Sequence, residues 1–281
     1  MIEGRGILTR VLRLYVPLAV CLVAMLFPFY WMLITSIKPN SELYSARIMP
    51  LMVYHPTLKH YVDLLTQTNF LTWTYNTMLV AVVTTTVSLV LGTMIAYPLA
   101  RLNFPGAAVV AIGVAATYLV PQPLLFIPMA DIINKLELGN TLSAVMLTYP
   151  TLLIPFCAWL LMGYFKSVPR ELEEAARIDG ASRFQAMWRV VLPLTTPGLL
   201  SAGIFAFTLA QNEFLYALIF LSKSEVRTVP VGAITELIRG DVFYWGQLMA
   251  AALLGSIPVA VIYSFFVDYY VAGLTAGSVK S

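Results

Sequence analysis

The stretch Ser167-Val-Pro-Arg-Glu-Leu-Glu-Glu-Ala-Ala-Arg-Ile-Asp-Gly-Ala-Ser-Arg-Phe-Gln-Ala-Met-Trp-Arg-Val-Val-Leu-Pro193 reads as helix, turn, helix. Pro169 suits a first helical turn, and Glu171, Glu173 and Glu174 place negative charge at the positive end of the helix dipole. Asp179-Gly180 supplies a stop, because glycine takes the left-handed conformation that ends helices. Ser182 with Gln185 forms a capping box for the next helix. Phe184, Met187, Trp188 and Val191 follow at i, i+3, i+4 and i+7, an apolar stripe expected to face lipid headgroups or the bundle. Pro193 and Pro197 turn the chain away again. Of the 31 charged residues (17 Lys/Arg and 14 Asp/Glu), nine fall between Lys166 and Arg189. The segment is a charged island, and its apolar surroundings decide the fold.

Those surroundings are extreme. The 281 residues are 59% hydrophobic and 11% charged, with mean hydropathy +0.82, whereas soluble domains carry about 25% charged residues. A water-soluble core of this composition would leave too few polar side chains to coat it, so lipid is the expected solvent. A crossing needs roughly 20 apolar residues. Six stretches lack any Asp, Glu, Lys, Arg or His over such a length: Leu14 to Ile37, Leu64 to Ala100, Leu102 to Ala130, Leu138 to Phe165, Val190 to Asn212 and Val242 to Val267. The expectation is one all-α polytopic membrane domain over 1–281. Its spans are placed near 14–37, 73–100, 107–130, 142–165, 194–221 and 248–272, with the charged loop at 166–193. The first run is longer than a signal-peptide core and no small-residue cleavage site follows Trp31, so it is read as an uncleaved span. Six spans put both termini on one side. With the N-terminus inside, the internal segments hold ten of the 17 Lys/Arg in fewer residues than the external ones, which favours cytoplasmic termini. Prolines recur within the spans, which suits helices that bend around a path.

Several chemistries are disfavoured. Cys21 and Cys157 lie in different spans without a CxxC pair, which makes free buried thiols the expectation. His55 and His60 sit five apart in the first external loop, are not on one helix face, and are read as solvated rather than as zinc ligands. No span contains His, which argues against an intramembrane protease or a His proton relay. No GxxxxGK[ST] occurs, so any ATP-driven work must come from a partner. No catalytic or metal residue is assigned, and the small, dispersed net charge of +3 does not suggest nucleic acid.

The island carries a resemblance. Glu174-Ala175-Ala176, three residues, Gly180, nine residues, Val190, one residue, Leu192-Pro193 resembles the EAA loop of binding-protein-dependent ABC importer permeases, with Val for Ile as the single departure. Pro28-Phe-Tyr-Trp-Met32, Thr35-Ser-Ile-Lys-Pro39, Tyr97-Pro-Leu-Ala-Arg101, Leu138-Gly-Asn-Thr141, Asn212-Glu-Phe-Leu215 and Gly273-Leu-Thr-Ala-Gly-Ser-Val-Lys280 are similar to the carbohydrate branch, which includes the smaller permease of the maltose transporter. Gln211 stands where such proteins often have Trp, and the chain ends in Ser281 where Gly is common. The family core would cover 71–268.

The resemblance implies a type I ABC importer permease fold in a bacterial cytoplasmic membrane. It implies a coupling helix seated in a cytosolic ATPase subunit, with Glu173, Glu174, Ala175, Ala176, Asp179, Gly180, Leu192 and Pro193 as the coupling residues. Thr275, Gly277 and Lys280 of the tail are a second ATPase-contact candidate. The implied partners are a second permease in a heterodimer, two copies of the ATP-binding subunit and an extracytoplasmic solute-binding protein. That protein would dock on the loops Lys38 to Thr72 and Ser222 to Gln247. ATP and Mg would be bound by the ATPases and no cofactor by this chain, which is then no enzyme. The solute would be a sugar, oligosaccharide, polyol or glycerol phosphate. Gln211, Asn212 and Glu213 are candidates for its path, because a mid-membrane carboxylate demands a partner or a wet cavity. Glu213 has two readings: it meets the solute, or it lies near the external end of span five and pairs with the other permease or Lys223. Tyr118, Tyr149 and Trp159 receive no site, aromatic residues in spans being more often packing residues or interfacial anchors. A self-contained secondary carrier or channel is the alternative, but it leaves the EAA spacing unexplained.

Overall fold

A computed structural model describes residues 11–45 and 49–276, with side chains as far as Phe266. Among the described residues the regular elements are all helices apart from one hairpin of two two-residue strands. In order come α1 (Val11–Ile37), α2 (Asn40–Leu43), α3 (Lys59–Gln67), α4 (Phe70–Arg101), α5 (Ala107–Tyr118), α6 (Gln122–Lys135) and α7 (Leu142–Ser167). They are followed by α8 (Arg170–Ile178), α9 (Arg183–Leu194), α10 (Thr196–Asn212), α11 (Leu215–Phe220) and α12 (Val229–Leu237). The hairpin β1 (Ile238–Arg239) and β2 (Val242–Phe243) precedes α13 (Trp245–Ala276).

Among the described residues, four helices are long and apolar enough to cross a bilayer unbroken: α1, α4, α7 and α13 up to Phe266. Two helix pairs meet the same length and apolarity test only when taken together, α5 with α6, bent by 94°, and α9 with α10, bent by 77°. The stretch expected to span over 107–130 runs as two helices. Pro121 is extended (φ −61°, ψ 125°) at the N-cap of α6, and Pro123 follows within the first turn, so no helical hydrogen bonds bridge the break. The span expected over 194–221 also breaks, at Glu213 (φ −65°, ψ 128°), where α10 ends and the six-residue α11 begins.

The chain divides into two compact units. In the unit formed by Leu71–Gly232 and Pro258–Ser281, α4, α7 and α10 share a core in which small residues, among them Ala81, Ala144, Cys157, Ala206 and Ala210, alternate with large ones such as Tyr149, Leu153 and Phe207. Ala96, Ala100, Leu161, Phe165 and Ala202 form a second cluster. Small side chains allow helix backbones to approach where lipid supplies no hydrophobic drive. The approach is tight at Gly92, where an added Cβ would lie 2.8 Å from Cys157 Cβ. Two hydroxyls inside α4 are satisfied within the helix, Thr77 donating to Trp73 O and Thr84 to Val80 O, each at 2.7 Å, whereas Thr85 Oγ1 and Ser88 Oγ are buried without a hydrogen-bond partner.

The other unit comprises Met1–Phe70 and Ala233–Ile257. Its helix α1 buries only Ile34, Thr35 and Ser36, and an apolar helix exposed on nearly every side is matched to lipid or to another subunit. The loop after α1 is organised by Glu42. Its carboxylate accepts from Tyr54 N (3.1 Å) and His55 N (2.8 Å) and pairs with His55 Nδ1 at 2.9 Å. Lys38 Nζ donates to the carbonyls of Met49 and Pro50. The expectation of two solvated histidines holds for the His55 ring and fails for His60. His60 is buried with Nε2 2.7 Å from Lys38 O, and Gly246 is the residue whose missing side chain makes room for its ring.

Burial alone would raise the Glu42 pKa, but the two backbone N–H donors and His55 outweigh it and hold the carboxyl below its usual value of 4.5. A depressed carboxylate contributes stability that is present above the unfolded value and lost as pH falls through the folded one. The chain on either side of this carboxylate, residues 38–45 and 49–55, is therefore expected to become protease-sensitive below about pH 4.5. In Glu42→Gln it should already be sensitive at pH 7, as read by limited proteolysis across that range. In the core, Gly92→Val should lower stability by about 1–3 kcal/mol through overpacking, measured as a fall in the thermal midpoint of the purified protein.

Candidate functional site: the charged loop

The loop between α7 and α10 is built from local rules. Pro169 is the N-cap residue of α8, and Glu171 and Glu173 occupy the first turn. At the other end Gly180 (φ +92°) sends its N–H to Arg177 O (3.1 Å) while Ala181 N–H reaches Ala176 O (3.0 Å), the paired bonds of a Schellman ending. Nothing lies within 4 Å of the missing Gly180 Cβ, so the requirement for glycine comes from the backbone and not from crowding. Both halves of the Ser182–Gln185 capping box are formed, at 3.2 and 2.8 Å. α9 widens to a π-helix over Met187–Val191. Met187 and Val191 are buried while Phe184 and Trp188 are exposed, so the stripe is divided between the core and the outside.

The coupling candidates divide in the same way. Glu174, Ala175, Asp179 and Gly180 are exposed, and Ala176 and Leu192 are half-buried; Pro193 is exposed. Glu173 points inward. Tyr97 Oη donates to its Oε1 at 2.6 Å, and Arg101 Nε lies 3.4 Å from Oε2. Arg101 also donates from Nη1 to Val168 O at 2.8 Å, just ahead of α8. α8 is thus tied to the last turn of α4 at two points, and Glu173 serves the tie. Sequence reasoning left Tyr97 and Arg101 without a role, although their i, i+4 spacing puts both on one face of α4. It also passed over Ile178, which is 87% exposed at the end of a charged helix.

The path candidates are not one cluster. Successive helical residues lie about 100° apart: Gln211 is buried in the core and Asn212 is exposed, its Nδ2 donating back to Thr208 O at 2.9 Å. Glu213 accepts from Tyr216 N (2.9 Å) and Ala217 N (3.2 Å), and so places its charge at the N-terminus of α11. Asn212 and Glu213 line a cavity of about 430 Å³ together with Tyr118, Gln122 and Tyr149, while Gln211 does not. Two aromatic residues given no site from sequence therefore belong to it, and Trp159 remains outside. The Gly277 and Lys280 positions and the Thr275 side chain lie outside the described residues.

Comparison with known proteins matches this geometry to a family. Residues 88–275 match "Binding-protein-dependent transport system inner membrane component", and the chain belongs to that family of multi-pass membrane permease subunits. It is 37% identical to the sulfoquinovosyl glycerol transport system permease protein of Agrobacterium fabrum, over 95% of this chain and 93% of that one. It is 34% identical to the trehalose/maltose transport system permease protein of Thermococcus litoralis, over 98% of each. A bacterial ABC transporter involved in alginate import shares the fold, with TM-score 0.77 at 22% identity over 95% of this chain and 99% of that one.

Tyr97→Phe and Glu173→Gln should each loosen α8 from α4. Loss of a charged hydrogen bond costs about 1.5–3 kcal/mol, so amide exchange over 168–180 should accelerate by roughly tenfold or more, read by hydrogen–deuterium exchange.

Proposed function

We propose that this chain is the permease subunit of an ATP-driven importer for a carbohydrate, with α8 as the element that receives motion from a cytosolic ATPase. The observation that carries the reading is the two-sided build of α8. One side is fastened to α4 through Glu173, Tyr97 and Arg101, and the other presents Ala175, Ile178 and the Gly180 end to the outside. Together with the EAA spacing around Gly180, this uncovered face supports a docking role for α8. The Lys/Arg distribution supports placing this loop and both termini in the cytoplasm.

Carbohydrate is supported by two relatives, whose transport systems are named for sulfoquinovosyl glycerol and for trehalose and maltose. The cavity lined by Tyr118, Tyr149, Gln122, Asn212 and Glu213 has the composition a sugar path needs: aromatic faces for the apolar side of a pyranose and a few polar groups for its hydroxyls. We assign a second, different permease, two copies of an ATPase subunit and an extracytoplasmic solute-binding protein as partners. ATP and Mg belong to the ATPases. On this reading the chain is no enzyme by itself, and Thr275 to Lys280 provide a further ATPase contact.

Co-purification tests the reading. Ile178→Asp should weaken retention of the ATPase by tenfold or more, since burying an isoleucine contributes about 1.5–3 kcal/mol. Gly180→Val should weaken it through a left-handed backbone that costs a β-branched L-residue about 1–2 kcal/mol. Full retention in both variants, or uptake of labelled trehalose by vesicles holding this chain alone, would sink it.

A further inference from the structure

Beside the tie between α4 and α8 lies a cavity of about 230 Å³ whose walls include Arg101, Arg170, Arg177, Arg183, Glu173 and Glu174. Four guanidiniums against two carboxylates leave an excess of two positive charges in one small space. Arg101 is the buried member, its side chain only 2% exposed. Its Nη1 is used by Val168 O, and Glu173 lies near its Nε, but Nη2 is buried without a hydrogen-bond partner. A buried guanidinium N–H left unpaired costs free energy, and natural structures seldom leave one without a reason. Arg170, Arg177 and Arg183 form no ion pair among the described residues. These three line the same cavity as Arg101, the buried member of the four.

We propose that this cavity binds a phosphate-type oxyanion. Guanidinium groups match phosphate oxygens in bidentate geometry, and a tetrahedral anion offers enough acceptors to meet several arginines from different directions. The neighbouring N-terminus of α8 adds the favourable end of a helix dipole. Arg101 is the last residue of a membrane-length helix, so the site lies where such a helix leaves the bilayer. An anionic phospholipid headgroup and soluble phosphate can both reach it there. Either would bridge Arg101 on α4 to Arg170 and Arg177 on α8 and so reinforce the Glu173 tie.

The test uses the assembled permease–ATPase complex and hydrogen–deuterium exchange over residues 98–104 and 168–183. In one arm inorganic phosphate is titrated against chloride at equal ionic strength in detergent. In the other, nanodiscs of phosphatidylglycerol are compared with nanodiscs of phosphatidylcholine. Saturable protection in the phosphate arm identifies a free ion as occupant, and protection by phosphatidylglycerol alone identifies a headgroup. The double variant Arg170→Gln/Arg177→Gln leaves the Arg101 bonds intact and should weaken the protection at least tenfold. Protection in neither arm, equal protection by chloride, or undiminished protection in the double variant overturns the proposal. ATPase retention in the same samples reports separately on the coupling assignment.

Discussion

The contact between Glu173 and the end of α4 is the constraint on which the rest of the loop depends. α8 is nine residues long, too short to be stable by itself in water, and none of its residues is buried. Its order must come from attachment. Tyr97 and Arg101 hold Glu173, and the Arg101 bond to Val168 O fixes the residue from which the helix departs. The Schellman turn at Gly180 and the capping box at Ser182 then set the angle at which α9 leaves. Val168, Ala186, Met187 and Val191 are buried on either side of α8. The exposed helix is thus suspended between two anchored ends and braced in the middle by one carboxylate.

A second set of polar contacts solves the problem of broken helices. In hydrocarbon every backbone group must be satisfied internally, yet this chain interrupts its helices repeatedly. Polar residues stand at these interruptions. Glu213 accepts from the amides at the start of α11. Asn140, itself in the left-handed region (φ +58°), accepts from Ser222 N at 2.6 Å and Lys223 N at 3.1 Å, while its own N–H reaches Phe220 O. Trp73 and Asn76 donate to the carbonyls of Ser224, Glu225 and Arg227. Several residues whose polarity suggests a path are therefore occupied in holding the backbone. Glu213 does both: it caps α11 and faces the cavity.

What could be read from sequence was what local rules govern. The stop at Gly180, the Ser182 cap and the apolar lengths all follow from periodicity and propensity, and the family match extends over residues 88–275. Hidden features came from long-range partners. Nothing near Glu173 in sequence distinguishes it from Glu171 or Glu174; it turns inward because Tyr97 and Arg101 reach it from a helix distant in the chain, Tyr97 being 76 positions away. His60 is buried because Gly246 leaves space for it, a fact that no window of sequence contains. The bend between α5 and α6 was half visible in Pro121 and Pro123, but proline permits a kink without fixing its angle.

On the proposed reading, magnitudes limit how α8 could carry force. A charged hydrogen bond at Glu173 is worth about 1.5–3 kcal/mol, and covering Ile178 contributes about the same. If the tie to α4 were the only link, a pull delivered through Ile178 would break the tie about as readily as it would detach the partner. Transmission therefore requires parallel links, and the loop has them. α8 is continuous with α7 through Val168 and with α9 through Gly180, and both neighbours are set in the apolar clusters by Phe165 on one side and Met187 and Val191 on the other. In this arrangement the Glu173 contact fixes direction more than strength. On that reading it would make α4 move with α8 where the covalent path alone would move only α7 and α9.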